Sequence, residues 1–394
     1  MADIKVVKSR EKRQEDYRDK IFKYKLTNIY RFILLLLVFA AVIAIIAVQY
    51  RNHVYTGYTI VSTTSRQKGS GAVTMRLGNS VLTYSKDGSN CINQEGEVVW
   101  NQTFQMQDID VAVSNHVSAI SSYNGTQIYV QSDKESMGVI ETTMPIRDVA
   151  VADNGRVTAV LADTDVAWLI TYNKDGTVEF TGQAHMQNSG YPVAISLSPN
   201  GEKLAVSYIY LDAGTVKSHV AFYNFGDVGS NYSDYLISTY THPEAVIPYI
   251  QFMNDTTSFA VGDDRLVFYI GSQKPVESQK HFYSEEIRSV YYNEEYVGLV
   301  VNSDLSEYRY RLDVFNSQGE KVNNFYFDME YREVFFEKNS FVIYNESECL
   351  IMNMDGLEKF RGEFGGAVEM MLPTGKAYRY VLVTGSSLDT IQLN

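Results

Sequence analysis

The chain has 394 residues, 45% hydrophobic and 21% charged, enough for two or three ordinary domains or one large all-β domain, and too apolar for wholesale disorder. Its formal net charge of −13 argues against a nucleic-acid binder. Two cysteines, Cys91 and Cys349, are too few for a disulfide scaffold or a cysteine-based zinc site.

Charge is unevenly distributed. Residues 1–31 carry net +5 and residues 52–394 net −19. Between them, Phe32–Val48 reads FILLLLVFAAVIAIIAV, without one polar side chain. As a helix it rises ~26 Å, and the flanking Ile29–Tyr30 and Gln49–Tyr50 bring it close to a full bilayer crossing. A soluble core helix would need a polar face. A cleaved secretory signal would need a shorter leader and an Ala-x-Ala-like site, absent between Phe39 and Tyr55. The expectation is a basic cytoplasmic tail (1–28), a single transmembrane helix contacting the lipid bilayer (29–50), a juxtamembrane linker (51–57) and an extracytoplasmic domain (58–394). The positive-inside rule sets this orientation in the cell membrane. Tyr30, Tyr50, Tyr55 and Tyr58 fall where interfacial aromatics would anchor the helix ends. The tail from Ser9 to Tyr30 reads either as a membrane-surface helix or as a docking segment for a cytoplasmic partner.

Beyond the span, short alternating runs such as SVLTYS, TQIYVQ, KLAVSY, RLVFYI and RYVLVT recur between Gly, Asn, Asp and Ser, an all-β signature. A turn motif Asn-x-[Asp/Glu/Gln]-Gly appears at Asn93–Gly96, Asn173–Gly176, Asn316–Gly319 and Asn353–Gly356. In three copies an aromatic follows, Trp100, Phe180 and Phe360, expected to pack between neighbouring sheets. A second repeat places a polar residue before an apolar pair: Arg147-Asp148-Val149, Arg288-Ser289-Val290 and Arg332-Glu333-Val334, with looser copies at Thr74, Asp110, Ala194, Gln251 and Glu369. Successive spacings of 36, 38, 46, 57, 38, 44 and 36 residues centre on the ~40–45 of a four-stranded propeller blade. The expected fold is therefore an eight-bladed β-propeller, or seven-bladed if Ala72–Leu77 is only a lead-in, preceded by one transmembrane helix. The C-terminal segment supplies three strands for the last blade, and Tyr58–Thr64 is expected to supply the fourth and remove an exposed edge.

Gly96-Glu-Val-Val-Trp100 resembles the tail of pyrroloquinoline-quinone-type propeller repeats, and Ser198-Pro-Asn-Gly-Glu-Lys-Leu-Ala205 resembles the hairpin of TolB-like and WD40-like propellers. The whole layout, with Tyr55-Thr-Gly-Tyr58 and Asn188-Ser-Gly-Tyr-Pro192, is similar to a family of uncharacterised membrane-anchored propellers of Gram-positive bacteria. That resemblance implies the fold and no particular activity.

Recognisable chemistry is sparse. The six histidines are dispersed, and Asp163-x-Asp165 and Gly262-Asp263-Asp264 lack the spacing of a calcium loop, which leaves them as polar turns. Ser65-Arg-Gln-Lys68 matches Ser-x-x-Lys but without partner motifs. No catalytic, metal or cofactor site is assigned. Cys91 and Cys349 read as buried free thiols on separate blades. The polar residues beginning the inner strands, Arg147, Arg288 and Arg332 with Asp110, Asp148, Glu333 and Glu369, are the candidate ligand contacts at the channel mouth; the competing reading is a network of interblade ion pairs. The stretch Asp212–Pro248, in the longest spacing, is expected to protrude as a recognition loop. Function reads as a binding or scaffolding module with a protein or cell-wall polysaccharide partner on the propeller face and no nucleic acid. The alternatives are a transmembrane sensor and a cell-surface hydrolase or lyase with an unrecognised channel site.

Overall fold

The computed structural model describes residues 10–164, 166–185 and 190–394, and divides into two units, residues 1–54 and 55–394. Asp165 and the Asn188–Ser189 part of the Asn-Ser-Gly-Tyr-Pro run lie outside the described residues, as does Ser9 at the start of the tail. In the first unit a helix runs unbroken from Arg10 to Asn52. It is the one helix among the described residues long and apolar enough to cross a membrane. Its described side chains from Tyr17 to Gln49 are all exposed.

The second unit is a ring of eight four-stranded antiparallel sheets. Blades 1 to 7 take consecutive strands, their inner strands being Val73–Leu77, Ile109–Ser114, Ile146–Val151, Tyr191–Leu197, Tyr249–Phe252, Ile287–Tyr292 and Glu333–Glu337. Blade 8 combines Val368–Pro373, Arg379–Thr384 and Ser387–Leu393 with Tyr58–Ser65 as its outermost strand. This closing strand runs antiparallel to the last, from Tyr58 opposite Leu393 to Ser65 opposite Ser387. The count is eight, because Val73–Leu77 is a full inner strand.

Each blade is apolar on both faces, so the core lies between blades. Eight hydrophobic clusters fill the eight junctions. The three turn-following aromatics are in them: Trp100 between blades 1 and 2, Phe180 between 3 and 4, Phe360 between 7 and 8. Trp100 Nε1 also donates across the junction to the Ser132 carbonyl at 2.7 Å.

The turn motif is explained by its hydrogen bonds. In three copies the asparagine Oδ1 accepts the backbone N–H four residues on: Glu97 (2.8 Å), Glu320 (2.9 Å) and Leu357 (2.7 Å). The glycine takes a left-handed φ of +85°, +84°, +78° or +89°, which a side chain would strain. The turn also leans on the outer strand of the preceding blade. A Cβ on Gly96 would meet Thr64 Cγ2 at 2.5 Å, and one on Gly319 would meet Gln279 Cβ at 2.9 Å. The closing strand is thus gripped by blade 1 as an ordinary outer strand is gripped elsewhere.

Two expectations need correction. Tyr55 and Tyr58 belong to the propeller: Tyr55 packs on Tyr378 with ring centroids 4.6 Å apart, and Tyr58 accepts the Gly365 N–H at 3.1 Å. Aromatic residues near a span need not sit at the lipid interface when a sheet edge offers them a partner. The stretch Asp212–Pro248 is not one loop. It contains the strands Thr215–Asn224 and Leu236–His242 of blade 4, and the long spacing comes from a ten-residue hairpin arm plus two 3-10 turns. What stands out of the ring is the hairpin end, where Leu211 is 71% exposed.

Candidate functional site

The inner strands begin at one end of the central channel, here the front rim, and finish at the back rim. At the front rim a β-bulge recurs at the second or third residue of the inner strand. Arg147, Val193, Arg288 and Glu369 are each the extra residue where pairing skips a position. In blade 7, Arg332 and Glu333 both pair with Tyr344. A bulge leaves its extra residue outside the ladder and re-aims the side chain. That is the structural reason the arginine repeats.

Among the described residues, no hydrogen bond or ion pair links any two of the seven front-rim candidates. Arg147 donates to Asn124 Oδ1 and lies over the Tyr123 ring at 4.9 Å, bridging blades 3 and 2. Arg288 donates to Asn302 at 2.9 Å and lies near the Tyr310 ring, within its own blade. Arg332 pairs with Glu346 at 3.6 Å, also within its blade, and both are well exposed. Asp110 and Asp148 are brought together. Burial pushes Asp148 up to about 7, reinforced by Asp110 and opposed by its hydrogen bond from the Val149 N–H at 2.8 Å. Asp110 is raised by burial too.

Glu369 is part of a ring-closing network between blades 8 and 1. Lys68 Nζ lies 2.8 Å from Oε1, and Arg66 Nη1 3.4 Å from Oε2. The Arg66 side chain is 4% exposed and also donates to Thr74 (2.7 Å), Thr83 (2.8 Å) and the Thr384 carbonyl (3.1 Å). Burial would raise Glu369, but the bonds from Lys68 and Thr74 and the two cationic neighbours bring it below the usual carboxylate range. Lys68 of the Ser-x-x-Lys match is therefore a structural cation. Arg66 was missed from sequence because it follows the closing strand outside any repeat.

A cavity of about 650 Å³ occupies the channel from its middle to the back rim. Of the seven candidates only Glu333 lines it. Its other charged walls are Arg76 of blade 1, Glu294 and Glu295 of blade 6, and Lys338 of blade 7. Arg76 Nε donates to the Gly78 carbonyl at 2.8 Å. Burial holds its guanidinium below the ordinary value despite the opposing fields of Glu333 and Glu337. Each of those carboxylates has a tyrosine: Glu333 accepts from Tyr344, and Glu337 from Tyr380.

The back rim is laced from blade to blade. Gly78 N–H donates to the Asn115 carbonyl at 2.8 Å, Ser114 and Asn115 donate to Asp153 at 2.8 Å each, and Asp153 N–H donates to the Pro199 carbonyl at 2.9 Å. Asn200 N–H donates to Asp255 at 2.8 Å, and Asn254 to the Glu294 carbonyl at 3.0 Å. Asn115 Nδ2 also reaches Glu294 Oε1 at 3.3 Å. Blades 2 and 6 stand opposite each other in an eightfold ring, so this contact straps the back mouth across its diameter. No repeat signal marks it, since both residues are tips of hairpins that look like ordinary turns.

Comparison with known proteins gives a family and a fold. Residues 51–393 match a family described as a family of unknown function, DUF5711. The chain is similar in structure to Sqt1 of Saccharomyces cerevisiae (TM-score 0.53, 11% identity, covering 87% of this chain and 100% of that one). It is also similar to Sqt1 of Chaetomium thermophilum bound to the N-terminus of the ribosomal protein L10 (0.53, 10%, 86% and 100%). A third is apo AztD from Citrobacter koseri (0.53, 8%, 75% and 87%). No curated protein matches the sequence.

Proposed function

This chain belongs to the DUF5711 family of unknown function, and we propose that it is a single-pass membrane protein displaying its propeller outside the cell as a binding or scaffolding module. The observation that carries the reading is the helix Arg10–Asn52, whose apolar stretch has no protein cover. Seventeen uninterrupted apolar residues exposed to water would be strongly unfavourable, and a bilayer relieves that cost. The +5 charge before the span supports a cytoplasmic tail, with the anchored layout of the Gram-positive proteins it resembles.

A closed ring with loop-built rims is a rigid platform for a partner. Of its structural neighbours, the Chaetomium Sqt1 is bound to a ribosomal-protein N-terminus, which supports a protein segment as the partner class here.

The test is protease added to intact cells carrying an epitope at residue 5. Digestion of the propeller with survival of the epitope is expected. Protection of the propeller with loss of the epitope reverses the orientation. A sensor is the second reading, favoured by the continuity of the helix from the basic tail through the apolar stretch. Deleting residues 1–28 while insertion survives should abolish a sensor's phenotype and spare a scaffold's.

A further inference from the structure

We propose that the back half of the channel binds a small zwitterion, an amino acid or short peptide, whose carboxylate is taken by Arg76. This rests on reading the propeller as a binding module and supplies that module with a ligand class.

Three observations lead there. First, Arg76 is a cation without a counter-ion. Its Nε is used by the Gly78 carbonyl, and among the described residues no carboxylate oxygen lies within 4.0 Å of the guanidinium. Its terminal nitrogens remain for a planar, bidentate acceptor such as a carboxylate. Second, the nearest acids are held back, Glu333 by Tyr344 and Glu337 by Tyr380. The fork stays open, where two free glutamates would have closed on it. Third, the cavity is mixed in sign. Glu333, Glu294 and Glu295 share it with Arg76 and Lys338, three carboxylates to two cations, which disfavours a dianion such as phosphate and favours a ligand whose anionic end is balanced by a cationic one. A volume of about 650 Å³, with Phe252, Tyr291 and Phe336 in the walls, is in the range of small-molecule sites with room for a side chain.

The full chain in detergent micelles is tested by thermal shift and titration calorimetry. The probes are the twenty amino acids, alanylalanine, its C-terminal amide, its N-acetyl form, and inorganic phosphate. At least one free zwitterion is expected to bind saturably. Amidation of its carboxylate, or Arg76→Met, should weaken binding about 10- to 100-fold, the range for a charge-assisted hydrogen-bonded pair. Acetylation should weaken it by less. A free amino acid and a dipeptide are distinguished by which binds tighter.

Arg76→Met should melt, without ligand, no lower than the parent, since it removes a partly buried charge that has no ion-pair partner within 4.0 Å among the described residues. Arg76→Lys keeps the charge, loses the fork, and should bind several-fold more weakly. The proposal is overturned if no probe shifts the parent, if Arg76→Met keeps the shift, or if phosphate binds as tightly as the best zwitterion. It is equally overturned if Arg76→Met melts far lower than the parent, which would make Arg76 a structural cation. Topology and partner binding are measured separately, so either reading can fail alone.

Discussion

Removing the closing strand is the most direct perturbation of this ring. A soluble chain beginning at Gly69 loses Tyr58–Ser65 together with Arg66 and Lys68; one beginning at Val54 keeps all of them. The shorter form gives up seven paired positions against Ser387–Leu393, at about 1 kcal/mol net per hydrogen bond. It also leaves Glu369 without its two cations and uncovers the Gly96 turn that rests on Thr64. The five charge-assisted bonds of Arg66 and Lys68 add about 1.5–3 kcal/mol each, and Tyr58 leaves the apolar cluster between blades 7 and 8. Entropy regained by residues 58–68, about 1–2 kcal/mol each for the backbone, cancels the ladder term and part of the ionic one. That leaves a loss on the order of 3–5 kcal/mol, small against the gross terms as net stabilities are. At about 2 °C per kcal/mol for a domain of this size, the melting temperature should fall on the order of 5–10 °C. The exposed edge of Ser387–Leu393 should also pair between molecules. Calorimetry and size-exclusion chromatography with light scattering measure both effects. Equal melting temperatures and equal monomer fractions for the two forms would refute the closing-strand argument.

Asp148 has a folded-state pKa of about 7, above the ~4 of an unfolded aspartate. The folded state therefore binds the extra proton, and stability falls as pH rises from about 4 to about 7. Asp148→Asn should raise the melting temperature at pH 8 and leave it unchanged at pH 4; an equal change at both would place the cause elsewhere. Gly176→Ala, at φ +84° with nothing within 4 Å of the added Cβ, should cost about 1 kcal/mol of backbone strain. Gly96→Ala should cost more in chemical denaturation, since its Cβ also meets Thr64. Cys91 and Cys349 are buried, and burial pushes their thiols up to about 11 and about 12. Neither should react with a disulfide reagent at pH 8 until the chain is unfolded.

Much of this fold is local information, which is why it was legible. A two-residue alternation, a turn asparagine four residues from the N–H it binds, and a glycine needing positive φ each act within a few residues. Recurring along the chain, the turn motif in four of the eight blades, they set the blade period. The apolar helix is local in the same sense, since seventeen adjacent side chains decide its solvent. The pairing of Tyr58–Ser65 with Ser387–Leu393 could be inferred because a four-strand rule left one strand missing and one strand spare.

The site obeyed no such rule. Arg147, Arg288 and Arg332 occupy one repeated position, but their partners Asn124, Asn302 and Glu346 come from turns and a strand end that the repeat does not constrain. Arg66 reaches four groups on two blades, and Arg76 faces Glu333 from a blade two places round the ring. Asn115 meets Glu294 across the channel although 179 residues separate them. Such contacts depend on the radius of the closed ring and the twist of each blade, which are properties of the assembled sheets. Sequence alone decided that there would be blades and which strand would close the last of them, and the pairing of Val73–Leu77 as a full inner strand made the count eight and not seven. Only the tertiary structure decided which charges would be neutralised at the front rim and which arginine would be left open in the channel.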